Sequence, residues 1–132
     1  MIETVLVPID GSENAERALR FGADLTRRHE AALDVVHITD VETESTRELL
    51  DSADAILEEE GFAGETAVQY DLRLTFKSSD RIAEGILDLV AEEAHDHVVM
   101  GHHGAGAVER LLLGSATETV IRTDEVPVTV IP

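Results

Sequence analysis

Apolar and polar positions alternate along this chain between two periods. Residues 4–9 are almost wholly apolar and rich in β-branched side chains, which predicts a strand covered on both faces. Asp10-Gly11-Ser12 breaks the run, and Ser12 is placed to cap a helix with Glu13 in its first turn. Ala15, Ala18, Leu19, Gly22 and Leu25 then recur at helical spacing, and Arg27, Arg28 and His29 close the helix where its dipole is negative. Ala32 to Ile38 predicts a second strand. A second helix is predicted from about Ser45, with Ser45 and Glu48 as a capping box, and Gly61 stops it.

From Val68 to Phe76 the period becomes strictly two, the pattern of a strand with one wet face at a sheet edge. Ser78-Ser79-Asp80 opens a third helix whose buried stripe is Ile82, Ile86, Leu89 and Val90. His97 to Met100 is the fourth strand candidate, Ser115 to Arg122 the fourth helix and Val126 to Ile131 the fifth strand. Leu111 to Leu113 are expected to tuck under the segment before that helix. Strands and helices in strict alternation with short connections imply right-handed crossovers, hence an α/β doubly wound parallel sheet of five strands with helices on both faces. At 132 residues, one domain over 1–132 is the simplest organisation.

Between the fourth strand and the fourth helix lies Gly-His-His-Gly-Ala-Gly-Ala-Val-Glu-Arg-Leu-Leu-Leu-Gly-Ser, residues 101–115, with the spacing G-x2-G-x9-G-[ST] through Gly101, Gly104, Gly114 and Ser115. A glycine segment that leaves a strand and ends at a helix start suits an anion. Glycine lets main-chain amides approach a ligand, and the first helical turn offers unpaired N–H groups. A plainer reading also stands. Gly114 can be a turn, Ser115 and Glu118 a capping box that needs no ligand, and Asp10 a turn residue at a strand end.

At these residues the chain resembles the universal stress protein family, in its nucleotide-binding branch. Val5-Leu6-Val7-Pro8-Ile9-Asp10-Gly11-Ser12, Val36-His37-Ile38 and Pro127-Val128-Thr129-Val130 extend the likeness over nearly the whole chain. The resemblance implies strand order 3-2-1-4-5 and a ligand crevice between the first and fourth strands, where the winding direction reverses. It also implies that Pro8, Asp10 and Ile38 lie near adenine and ribose, that Gly101, His102, Gly104 and Gly114 form the phosphate loop, and that Ser115, Ala116 and Thr117 meet the terminal phosphates. Ala105 departs from the family pattern, in which many relatives have a long basic residue. The implied role is a stress-response sensor or regulator that binds ATP, or ADP or AMP, with Mg, and dimerises through its C-terminal strand. The alternatives are a slow nucleotide hydrolase on the same scaffold and an interaction module without a ligand.

Composition narrows this further. Twenty-eight acidic residues stand against ten basic ones, nine Arg and Lys77, for a formal net charge of −18. Nucleic acid and anionic membranes are repelled by such a surface, so neither is expected as a partner. An acid-rich, Lys-poor chain resembles salt-adapted, halophilic proteins. There is no cysteine, no apolar run long enough to span a membrane and no cleavable basic-apolar start, which together predict a cytoplasmic protein.

No enzyme constellation stands out. The G-x4-G-K-[ST] pattern is absent, and Gly104-Ala105-Gly106 does not continue as G-x-G-x-x-G. Any ATP hydrolysis is expected to be slow, because the glycine segment supplies mainly backbone donors. His102-His103 and His95-x-His97 invite a metal reading, but neither pair has a defined third ligand, so no metal site is expected.

Overall fold

The computed structural model describes residues 2–39, 41–62, 70–76, 81–102 and 115–132, with 70–76 as backbone. Five strands, β1 (Thr4–Pro8), β2 (Ala32–Thr39), β3 (Tyr70–Phe76), β4 (His97–Gly101) and β5 (Val128–Ile131), form one sheet in the order β3-β2-β1-β4-β5. Every neighbouring pair is parallel, for example Val7 with Val35, Leu6 with Val98 and Val99 with Thr129. The helices between them are α1 (Glu13–His29), α2 (Glu44–Glu59), α3 (Ile82–Glu93) and α4 (Ser115–Arg122).

Alternation along the strands divides the core in two. Val5, Val7, Leu33, Val35 and Val99 point to one face and pack with Ala15, Leu19, Ile56 and Leu57 of α1 and α2. Leu6, Val36, Ile38, Val98 and Met100 point to the other and pack with Ile86, Leu89 and Val90 of α3 and Val120 of α4. A strand buried on both sides must be apolar at every position, which is why β1 shows no polar period.

Ser12 caps α1 as its position predicts, accepting from the Ala15 amide at 3.2 Å. The second cap corrects the expectation. Thr43, not Ser45, is the N-cap of α2: its hydroxyl accepts from the Thr46 amide at 3.3 Å, and the Thr46 hydroxyl accepts from the Thr43 amide at 3.0 Å. Threonine here takes the place Glu48 was expected to fill, and α2 begins at Glu44. Likewise Ser115 is the first residue of α4 and Glu118 pairs with Arg122 at 2.8 Å, so those two do not make the reciprocal box. Gly61, at φ +91°, follows α2 and its amide donates to Glu58, in keeping with a stop there. β5 is shorter than expected, starting after Pro127, which has no amide proton to give to a ladder. Val68, the Ser78-Ser79-Asp80 opening and Leu111 to Leu113 lie outside the described residues.

His97 joins the last two strands, its Nε2 lying 2.7 Å from the Thr129 hydroxyl. Burial pushes its imidazole below the ordinary value of 6.5; the Asp96 carboxylate works against this and His29 adds to it. A ring held neutral by folding stabilises the fold fully above the unfolded value of 6.5, and that contribution is lost as pH falls toward and through the lowered folded value. The stability advantage of the native chain over His97→Gln in urea melts is therefore expected to shrink between about pH 7.5 and about pH 5.5. A constant difference across that range would show that His97 is not the titrating group.

Candidate functional site

The carboxyl ends of β1 and β4 adjoin where the winding direction reverses, and a cavity of about 170 Å³ opens there. Pro8 and Asp10 come from the end of β1, Ile38 from β2, Gly101 from the end of β4, and Ser115, Ala116 and Thr117 from the first turn of α4. Four segments far apart in sequence thus meet around one opening. Pro8, Ile38 and Met100 face the α3 and α4 side of the sheet, and Ile82 and Ile86 of α3 close the cavity from above. Its volume is below the roughly 300–1,000 Å³ of sites that enclose a drug-sized ligand.

The polar side of the cavity is held by a chain of hydrogen bonds. The Ser12 amide and hydroxyl donate to Asp10 Oδ1 at 3.0 and 2.6 Å. Asn14, 1 % exposed, donates from Nδ2 to the Ser12 hydroxyl oxygen at 2.9 Å. Asp10 is therefore a turn residue as well as part of the lining. Across from it, the Thr117 hydroxyl donates to the Gly101 carbonyl at 2.8 Å, tying α4 to the end of β4. That proton is committed to the fold, which leaves the backbone of the first α4 turn and the exposed Ser115 side chain to face a ligand. Gly101 is packed so closely on α1 that an added Cβ would lie 2.7 Å from Asn14 Cγ. Its lack of a side chain thus has a structural reason beside any role with a ligand.

His102 is not in the lining, and its amide donates to the Ile131 carbonyl at 2.9 Å, which turns the chain toward β5. Gly104 and Gly114 lie outside the described residues. Ile82, Ile86 and Met100 were read from sequence as core. The only signal of a second role was that the stripe of α3 begins at Ile82, in the first turn, where it overhangs the strand ends.

His95 and His97 do not assemble as a pair, and His103 lies outside the described residues. His95 is buried, with Nε2 2.5 Å from Asp34 Oδ2 and Nδ1 3.2 Å from the Leu89 carbonyl, whereas His97 faces Thr129. Glu93 lies 3.7 Å from the same Nε2. A separation of 2.5 Å is that of a hydrogen bond, closer than two ligands of a regular tetrahedral ion would stand.

The model of the universal stress protein family matches residues 1–132. The chain belongs to that family. Among universal stress proteins, one from Staphylococcus haemolyticus is similar at 32% identity over 95% of this chain and 87% of its own. The universal stress protein of Archaeoglobus fulgidus, solved in complex with dAMP, shares the fold with a TM-score of 0.72 at 24% identity, covering 100% of this chain and 98% of that one. Another universal stress protein, solved with cAMP, does so with a TM-score of 0.74 at 19% identity, covering 99% and 97%. No described helix is long and apolar enough to cross a membrane.

Proposed function

We propose that this universal stress protein is a single domain that binds an adenine nucleotide at the β1/β4 crevice and acts as a stress-response sensor or regulator through occupancy of that site. The observation that carries the reading is the convergence of Pro8, Asp10, Ile38, Gly101, Ser115, Ala116 and Thr117 on one cavity. Its apolar part, Ile38, Ile82, Ile86 and Met100, suits a flat base, and Asp10 is an acceptor for sugar hydroxyls. The first turn of α4 offers amides to phosphate, with His102, Gly104 and Gly114 completing the loop in this proposal. Two proteins of the same fold hold adenine mononucleotides, dAMP and cAMP.

The described lining contains no Lys or Arg, so the charge of ATP calls for a divalent ion, and Mg is the cofactor we propose with it. The same lack of cations supports binding over catalysis and leaves any hydrolysis slow. β5 forms one edge of the sheet and is paired only with β4, so pairing with a second copy through β5 is the proposed dimer. Phe21, 44 % exposed, lies one helical turn beyond Arg17, whose guanidinium donates to the Pro132 carbonyl, and so flanks that edge with apolar surface. With a net charge of −18, the fold and the dimer are proposed to be favoured by molar salt.

Calorimetry of ATP, ADP and AMP, with and without Mg, across a KCl series tests the reading. Affinity is expected to hold or improve as salt rises, because screening relieves repulsion from the acidic surface. Asp10→Ala is expected to weaken binding about tenfold to hundredfold, the loss of one hydrogen bond to a charged group. No binding of any adenine nucleotide at millimolar concentration would end the proposal, and a monomeric mass by light scattering in high salt would end the dimer.

A further inference from the structure

A second cavity, of about 320 Å³, lies at the same end of the sheet on the opposite face, between the first halves of α1 and α2. The two helices are held together at their far ends. There Arg20 pairs with Glu59 and Glu60, Arg27 pairs with Glu60, and Ile56, Leu57 and Phe62 fill the seam. At their near ends Gly11, at φ +86°, turns the chain in beside Leu49, and the cavity opens there. The walls of the opening are Ile9, Leu19, Leu49, Ala53 and Ile56. The rim has a different chemistry: three carboxylates, Asp10, Glu16 and Glu48, and two hydroxyls, Ser45 and Ser52.

The described lining contains no Lys, Arg or His. Arg20, Arg27 and Arg28 of α1 are engaged by Glu59, Glu60 and Asp24, and among the described residues no ion pair engages Glu16 or Glu48. The first turns of α1 and α2 bring two positive dipole ends of about half a charge each, against three full negative charges, so the carboxylates decide the sign. Anions are excluded. A purely apolar guest would leave the acidic rim uncompensated, and a bare metal ion would leave the apolar walls unused.

We propose that this groove binds a small organic cation with an apolar body and a primary ammonium head. The body lies on Leu19, Leu49, Ala53 and Ile56, and the three N–H donors of the head meet the carboxylates and the serine hydroxyls. The volume falls in the range of small-molecule sites and suits a single ring or a short chain. This site shares only Ile9, Asp10 and Ala15 with the first cavity, and it does not depend on nucleotide binding there.

Methyl NMR of the whole chain titrated with 2-phenylethylammonium, 2-phenylethanol and 3-phenylpropionate, in roughly 1 M KCl to suppress diffuse ionic attraction, tests the proposal. The ammonium is expected to give saturable shifts at Leu19, Leu49, Ala53 and Ile56, about tenfold tighter than the alcohol, with none from the carboxylate. Glu16→Gln with Glu48→Gln, both at exposed positions, is expected to bring the ammonium down to the affinity of the alcohol, and Ser52→Phe to remove the shifts by filling the groove. Equal affinity of ammonium and alcohol in the native chain would overturn the proposal, as would shifts that persist unchanged in the double glutamine variant. Because Asp10 is untouched in these variants, a failure here is separate from a failure at the nucleotide site.

Discussion

His95→Ala is expected to lower the stability of this domain by about 3 kcal/mol. The His95 ring is wholly buried and both its nitrogens face acceptors, the Leu89 carbonyl at 3.2 Å and the Asp34 carboxylate at 2.5 Å. A carbonyl can only accept, so Nδ1 is the donor toward Leu89, and Nε2 meets the Asp34 carboxyl in a second hydrogen bond. Removing the ring leaves a void and takes one partner from the Asp34 carboxylate at the margin of the core. The Asp34 side chain is 19 % exposed, so water relieves part of that cost and the loss falls at the low end of the range for broken buried pairs. Asp34→Asn keeps an oxygen toward His95 and is expected to cost only about 1 kcal/mol. Urea denaturation of the two variants checks the order. Equal losses would mean that the contact with Asp34 carries the whole effect and the void almost none.

Gly101→Ala is expected to cost about 2–4 kcal/mol. The added carbon would overlap the Asn14 side-chain oxygen, lie 2.7 Å from Asn14 Cγ and come within 3.2 Å of the Ala15 amide nitrogen. Backbone cannot give way there without moving the start of α1. Asn14 cannot swing aside cheaply either, because it is buried and donates to Ser12, which in turn donates to Asp10. The distortion therefore reaches the cavity, and nucleotide affinity should fall with stability. A double-mutant cycle separates this from a general glycine effect: in Asn14→Ala the methyl finds room, so the combined variant should lose less than the sum of the two. Strict additivity would place the damage elsewhere.

These two sites show what was legible in the chain and what was not. The apolar run of β1, the Ser12 cap and the helical stripes lie within a few residues of one another, so local periodicity was enough to read an α/β domain with a parallel sheet. The pairing of His95 with Asp34 spans 61 positions, and no local pattern reports it. The His95-x-His97 spacing invited only a metal reading, set aside for want of a third ligand, because sequence shows which residues are near in the chain and not which face each other. Gly101 was readable as a ligand glycine, while its contact with Asn14 appears only once α1 lies across β4. The cap of α2 was misread for a local reason. Two acceptable capping residues stand two apart, and a threonine that answers a threonine is a weaker signal than Ser45 with Glu48. At the cavity, the strand-end and helix-start residues were readable from family likeness, whereas Ile82, Ile86 and Met100 carried only the signature of core.

The Thr117–Gly101 hydrogen bond spans 16 positions and fastens the start of the last helix to the end of the fourth strand. Whatever lies between is entered and left through one clamped stem. Doubling the length of a stretch closed in this way adds only about 0.6 kcal/mol of closure entropy. Changes of length or charge between these two residues, a cation in place of Ala105 among them, are therefore expected to cost the clamped frame little.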